Sequence, residues 1–175
     1  MSKYEEALAR ARKGLPLNEI FPELKTKPGD KWIDLGLPSG RIWAAENETD
    51  YYDFDNAVKT FGKELPTKEA WQELFDKCAR KWDKEKKGYL LTGPNGNTIF
   101  LPAAGYRSGT TVNNAGLNGN YWSSSPYSTA TNAYNVNFNA GGVNPQNNNR
   151  FNGFSVRLAR VSFRLPFRLS MTVLF

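Results

Sequence analysis

The chain has 175 residues, no histidine and a single cysteine, Cys78, and a length of about 100–200 residues is served by one hydrophobic core, so one main domain is expected. The missing imidazoles exclude Ser-His-Asp and Cys-His catalysis and every His-containing metal site. The lone thiol excludes an intrachain disulfide, a Cys-cluster zinc site and a dithiol redox pair.

The net charge of +6 is unevenly placed. Residues 1–100 hold 17 Lys+Arg and 17 Asp+Glu, whereas residues 101–175 hold no Asp, Glu or Lys and only Arg107, Arg150, Arg157, Arg160, Arg164 and Arg168. Six dispersed arginines lack the clustering with stacking aromatics that tracks a phosphate backbone, so no specific nucleic-acid partner is expected. The start, Met1 to Glu6, is charged and leads into helical sequence, which predicts no signal peptide and cytoplasmic synthesis. No run approaches the roughly 20 apolar residues of a membrane span, so no membrane insertion is expected.

In chain order, Ser2 and Glu5 form a capping box for a helix over 3–13 that Gly14 stops. Pro16, Pro22 and Pro28 mark a lead-in, so residues 1–30 are set apart from a domain over 31–161. The runs Trp32–Gly36 and Arg41–Ala44 flank Leu37-Pro38-Ser39-Gly40 as strand, turn and strand. A helix over 53–62 is opened by Asp53. A second starts after Thr67 and buries Trp71, Leu74, Phe75 and Cys78, spaced i, i+3, i+4, i+7. On that face Cys78 is a core thiol rather than a nucleophile. Tyr89–Leu91 and Thr98–Leu101 flank an Asn95-Gly96 turn. Beyond it the strand candidates are 121–124, 133–139 and 154–161, joined by loops rich in Gly, Asn and Pro. The fold class is therefore α+β: two helices packed on antiparallel sheet, with long ordered loops in the C-terminal half.

Thirteen of the 18 asparagines fall between Asn113 and Asn152. In the segment Tyr134 to Asn139, alternation sends Tyr134, Val136 and Phe138 to the core and lines up Asn135, Asn137 and Asn139 toward solvent. Asparagine is a poor strand former, so local propensity does not account for the row. An amide offers two donors and an acceptor with no charge to desolvate, which suits a surface that meets a partner. Asn144 to Asn149, around Pro145, read as loop chemistry or as part of the same surface. From Ser162 onward Phe163, Leu165, Phe167, Leu169, Met171 and Val173 alternate with polar residues, Arg164 and Arg168 among them, and with Pro166. Residues 162–175 are thus a strand extension that needs a partner, either within the chain or in a homo-oligomer.

Five motifs in order carry a family resemblance: Trp32 to Ala44 (WIDLGLPSGRIWA), Leu65 to Trp71 (LPTKEAW), Ile99 to Arg107 (IFLPAAGYR), Gly119 to Ser125 (GNYWSSS) and Gly153 to Arg157 (GFSVR). They resemble the Fibrobacter succinogenes major paralogous domain, whose relatives are C-type-lectin-fold proteins. The Asn-rich segment, about 118–157, further resembles the variable region of diversity-generating retroelement variable proteins. In that family an error-prone reverse transcriptase replaces template adenines, AAY asparagine codons are the main mutable positions, and the varied side chains form a ligand-binding surface.

The resemblance implies contact positions at Asn118, Asn120, Asn132, Asn135, Asn137, Asn139, Asn144, Asn147, Asn148, Asn149 and Asn152. Tyr121, Trp122, Gly153, Val156 and Arg157 become scaffold, with Trp122 also a candidate sugar-stacking platform. It implies a bacterial or phage receptor-recognition protein, adhesin-like, binding a protein or glycan on a cell surface, with delivery in a phage particle or by a partner left open. Calcium lectins of this fold place carboxylates beside the sugar, and residues 101–175 have none, so binding is expected to be calcium-independent and free of metal and cofactor. A formylglycine-generating type of enzyme needs active-site cysteines that Cys78 alone does not supply, and no catalytic residue is assigned. Asp34, Glu46, Glu48, Asp50, Asp53 and Asp55 are the acids a carboxylate-based hydrolase would use. A structural component of a particle is the other alternative.

Overall fold

A computed structural model describes residues 32–162; the expected helix over 3–13, the proline-rich lead-in and the extension from Phe163 lie outside the described residues. Among the described residues the order is β1 (Trp32–Asp34), β2 (Arg41–Ala44), α1 (Phe54–Phe61), a 3-10 turn (Gly62–Glu64), α2 (Lys68–Lys77), β3 (Ala79–Asp83), β4 (Gly88–Thr92), β5 (Thr98–Pro102), β6 (Tyr106–Ser108), β7 (Thr111–Asn113), β8 (Gly119–Pro126), β9 (Asn132–Asn139), β10 (Gly142–Asn149) and β11 (Ala159–Val161). The chain is α+β, with every strand-to-strand ladder among the described residues antiparallel: β1-β2-β11, β3-β4-β5, β6-β7 and β10-β9-β8. No helix among the described residues is long and apolar enough to cross a membrane.

Both helices begin where capping chemistry places them. Asp53 accepts a hydrogen bond from the Asn56 amide and Thr67 from the Ala70 amide. The buried face of α2 carries Trp71, Leu74 and Phe75, with Cys78 as its C-terminal cap. Burial pushes the Cys78 thiol up to about 11, helped by the Glu73 carboxylate. Its thiolate is the disfavoured form, so alkylation by iodoacetamide at pH 8 is expected to be slow in native protein and fast in guanidinium. Equal rates in the two would show that Cys78 is not held in the core.

Two apolar clusters sit on opposite faces of the β10-β9-β8 sheet. Side chains alternate faces along a strand, and the register pairs Tyr121 with Val136 and Trp122 with Asn135. Tyr121, Val136 and Phe138 join Trp43, Trp71, Leu74, Leu91, Ile99 and Leu101 in the first cluster. Trp122 and Ala133, on the other face, join Phe54, Leu65, Phe154 and Val156 in the second. Gly119 stands opposite Phe138, and a Cβ at that position would run into the Phe138 ring. The glycine therefore lets the ring lie flat across the neighbouring strand.

The structure corrects several expectations for the C-terminal half. Residues 142–149 form a full strand instead of a loop; Pro145 is tolerated because β10 is the edge of its sheet, where a residue without an N–H costs no internal ladder bond. Residues 154–158, expected as strand, make only isolated bridges, Phe154 with Tyr52 and Ser155 with Tyr121, and the regular strand is confined to 159–161. Strands β3, β6 and β7 were not foreseen from the sequence. Trp122 is fully buried and donates its indole N–H to the Tyr52 carbonyl at 2.7 Å, so it is core and no platform for a ligand. Tyr121, Gly153, Val156 and Arg157 are buried as the scaffold assignment requires.

Candidate functional site

The second cluster covers only part of its sheet face. Where Trp122, Ala133, Phe54 and Phe154 end, the same face continues as Asn120, Asn137, Gln146 and Asn148 and opens into a recess of about 440 Å³. Strands supply the floor: Asn120 from β8, Asn137 from β9, Gln146 and Asn148 from β10, with Asn120 directly opposite Asn137 and Asn144 on its other side. The walls come from the β6–β8 segment, through Tyr106, Ser108, Asn114 and Asn118, and from the turn after β10, through Phe151 and Asn152. Phe154 joins the recess to the core and meets Tyr106 edge to face, with centroids 6.2 Å apart.

Among the described residues the lining contains no carboxylate, ammonium, guanidinium or thiol. The two arginines closest in sequence to its walls are engaged elsewhere. Arg107 reaches Asp50 at 3.2 Å and donates to the Tyr51 carbonyl at 2.9 Å. Arg150 reaches Asp55 at 3.3 Å, donates to the Asn132 carbonyl at 3.2 Å and lies over the Phe54 ring. The recess is polar and neutral, and its chemistry is that of amides, a serine hydroxyl and three aromatic rings, one of them a phenol.

The amides are partly pre-organised. Asn137 Nδ2 donates to Asn120 Oδ1 at 2.8 Å, and Asn148 Nδ2 reaches Asn135 Oδ1 at 3.5 Å. The side-chain amides of Asn118, Gln146 and Asn152 have no hydrogen-bond partner among the described residues. Asn118 and Asn152 are nonetheless fixed through their backbones: the Asn118 N–H donates to Asn114 and its carbonyl accepts from Gly105, while the Asn152 N–H donates to Asn149.

Five of the eleven expected contact asparagines, Asn118, Asn120, Asn137, Asn148 and Asn152, thus converge on this recess. The other six do not line it. Asn139 is spent on the β9–β10 turn, accepting from the Gly141 amide at 2.8 Å. Asn132 and Asn147 face the opposite side of the sheet and pair with each other at 2.8 Å. Asn144 and Asn149 are exposed on β10.

Asn135 corrects the expectation of a solvent-facing row. It is 2% exposed, and its Nδ2 has no partner. The physical reason is that the face shared by Trp122, Ala133 and Asn135 is covered by the second core, with Phe54 and Phe154 packed on Trp122; Asn120, at 4% exposed, is likewise buried. Tyr134, expected in the core, is half-buried against Tyr127 with Lys68 above its ring.

The sequence did not single out Tyr106, Ser108, Asn114, Gln146, Phe151 or Phe154. Gln146 was recoverable, since Asn144, Gln146 and Asn148 share a face once 142–149 is treated as a strand. Phe151 carries no periodic signal, because it stands on a turn.

A second groove, of about 400 Å³, runs between α2 and the opposite face of β9 and β10, with Trp71, Phe75, Val136, Val143 and Pro145 along it and Lys68, Glu69, Asp76 and Arg80 at its rim. Of the expected contact residues only Asn135 borders it. The acids a hydrolase would use do not converge on either depression: Asp53 caps α1, Asp50 and Asp55 pair with the two arginines, and Asp34 accepts from the Gly36 amide at 2.8 Å.

A family model described as a domain of unknown function (DUF8237) matches residues 78–159, just under half of the chain. The matched segment runs from the cap of α2 to the first residue of β11 and includes every residue that lines the recess. No curated protein and no solved structure matches the chain.

Proposed function

We propose that this chain is a non-enzymatic recognition module with a C-type lectin fold, a variable protein of the diversity-generating retroelement kind within the Fibrobacter succinogenes major paralogous domain family. Its recess on the β8–β9–β10 face binds a protein or glycan on a cell surface, without calcium. The observation that carries the reading is the convergence of Asn118, Asn120, Asn137, Asn148 and Asn152 in one neutral recess. Local propensity opposes amides in the middle of a sheet, yet Asn120, Asn137 and Asn148 stand within strands β8, β9 and β10. Amides retained against that penalty fit a surface selected for contact rather than for folding.

The genomic test is the sequence of the gene and its flanks. AAY codons at Asn118, Asn120, Asn137, Asn148 and Asn152, with a near-copy of the segment and a reverse transcriptase gene nearby, are the expected result. Their absence would leave a fixed binding surface and remove the retroelement assignment. A protein-level test accompanies it. Changing Asn118, Asn137, Asn148 and Asn152 together to serine is expected to lower Tm by less than about 10 °C, since the bonds lost, from Asn137 to Asn120 and to the Gly119 carbonyl and from Asn148 to Asn135, are worth about 1 kcal/mol each. A collapse in Tm would show that these amides hold the fold together, and the recognition reading would fail.

A further inference from the structure

We infer that the recess takes an uncharged saccharide, seated with the C–H face of a sugar ring on Phe151 and its hydroxyls on the surrounding amides. The inference builds on the recognition reading above and names the ligand chemistry within it.

Three observations select that chemistry. The first is neutrality. No charged side chain among the described residues lines the recess, and Arg107 and Arg150 are already paired with Asp50 and Asp55. A phosphate, sulfate or carboxylate ligand would be desolvated there with no counter-charge, which is costly.

The second is the donor and acceptor balance. Each amide presents both a donor and an acceptor, and the side chains of Asn118, Gln146 and Asn152 meet none among the described residues. A hydroxyl group is likewise donor and acceptor at once, so neighbouring hydroxyls on a ring match neighbouring amides without leaving either unmet.

The third is Phe151, 73% exposed on the wall of an otherwise polar recess. Its turn is braced on both sides. The Arg150 N–H donates to the Thr131 carbonyl, the Phe54 N–H to the Arg150 carbonyl, and Gly153 exchanges two backbone hydrogen bonds with Arg107. A large apolar side chain on a braced backbone loses less conformational freedom on binding than one on a free loop. Opposed to hydroxyl-binding amides, it matches a ligand that is apolar on one face and polar round its edge.

The experiment is an array of neutral and anionic oligosaccharides probed with the full chain in EDTA, alongside Phe151→Ala and Phe151→Tyr. Binding to a neutral subset is expected, unchanged by EDTA, weakened about tenfold or more by Phe151→Ala and retained by Phe151→Tyr. An unchanged Tm in Phe151→Ala is expected too, because the ring is exposed. Binding confined to anionic glycans, or binding indifferent to Phe151→Ala, would overturn the inference. So would a silent array. In that last case variants randomised at Asn118, Asn137, Asn148 and Asn152 and selected against purified proteins separate the two levels: recovered binders leave the recognition reading standing with a protein ligand, and none removes both.

Discussion

Replacement of Arg157 by alanine is expected to leave no stable fold at 37 °C, with a loss of about 4–5 kcal/mol. Its side chain is fully buried, and the four hydrogen bonds of its guanidinium go to no carboxylate, although the Glu46 charge favours its charged form. Backbone and amide oxygens hold the guanidinium instead: Nε donates to Asn47 Oδ1 at 2.8 Å, Nη1 to the Ala44 and Ala45 carbonyls at 2.9 and 2.5 Å, and Nη2 to the Phe100 carbonyl at 2.6 Å. One planar fork thus ties the segment after β2 to β5 and to the stretch that follows the recess. Alanine would leave four acceptors unmet and open a cavity.

Lysine keeps the charge and lacks the fork, so Arg157→Lys is expected to cost about 2–3 kcal/mol and to be rescued least where the acceptors lie furthest apart. Thermal or urea unfolding monitored by tryptophan fluorescence measures both. Retention of wild-type stability in Arg157→Ala would show that the buried guanidinium is not what joins these segments.

Trp122→Ala is expected to cost about 3–5 kcal/mol, the range for removing a large aromatic from a close-packed interior. The indole is sandwiched in the second core. It stacks on Phe154 with centroids 4.2 Å apart, meets Phe54 edge to face at 5.6 Å, and its N–H is taken up by the Tyr52 carbonyl. Trp122→Phe keeps most of the apolar area and loses the hydrogen bond, so a smaller loss of about 1–2 kcal/mol is expected.

This prediction bears on the recess as well, because Phe154 is shared by the Trp122 stack and the recess lining. Unfolding by urea reads the stability change. A Trp122→Ala protein of wild-type stability would contradict the placement of Trp122 in the core and return it to the role of a ligand platform.

Tyr121, buried next to Arg157, adds a pH dependence with a definite sign. Burial pushes its phenol up to about 12 from 10.0, against the opposing pull of the Arg157 charge and of the hydrogen bond from Asn47. Folded protein therefore binds this proton more tightly than the unfolded chain. The contribution is fully present below pH 10 and is lost as the pH rises from 10 to 12. The hydroxyl lies between Asn47 Nδ2 at 3.0 Å and the Pro102 carbonyl at 2.8 Å, so ionisation also removes its donated bond.

Much of the fold was legible because it is locally encoded. Asp53 and Thr67 announce the two helix starts through capping, and the spacing of Trp71, Leu74, Phe75 and Cys78 gives the buried face of α2. The Asn95-Gly96 turn, with Gly96 at φ +85°, fixes the β4–β5 hairpin. These signals operate within a few residues, and nothing distant had to be known to read them. Strand β10 was not legible for the converse reason. Its Asn147-Asn148-Asn149 run and Pro145 oppose strand formation locally, and only pairing along the whole of β9, from Asn139 to Asn132, makes it a strand.

The site divides in the same way. Sequence by itself determined that the C-terminal half is rich in amides, poor in charge and free of carboxylates, and that a neutral hydrogen-bonding surface was the chemistry to expect there. Only the tertiary structure decided which amides form it. A two-residue period states that Asn135 and Asn137 share a face, but not what covers that face. The second core reaches over Trp122, Ala133 and Asn135 and stops before Asn137, so one amide is buried in the sheet and the other borders the recess. The side of a strand is a local property; its cover comes from residues such as Phe54 and Phe154, tens of positions away in the chain.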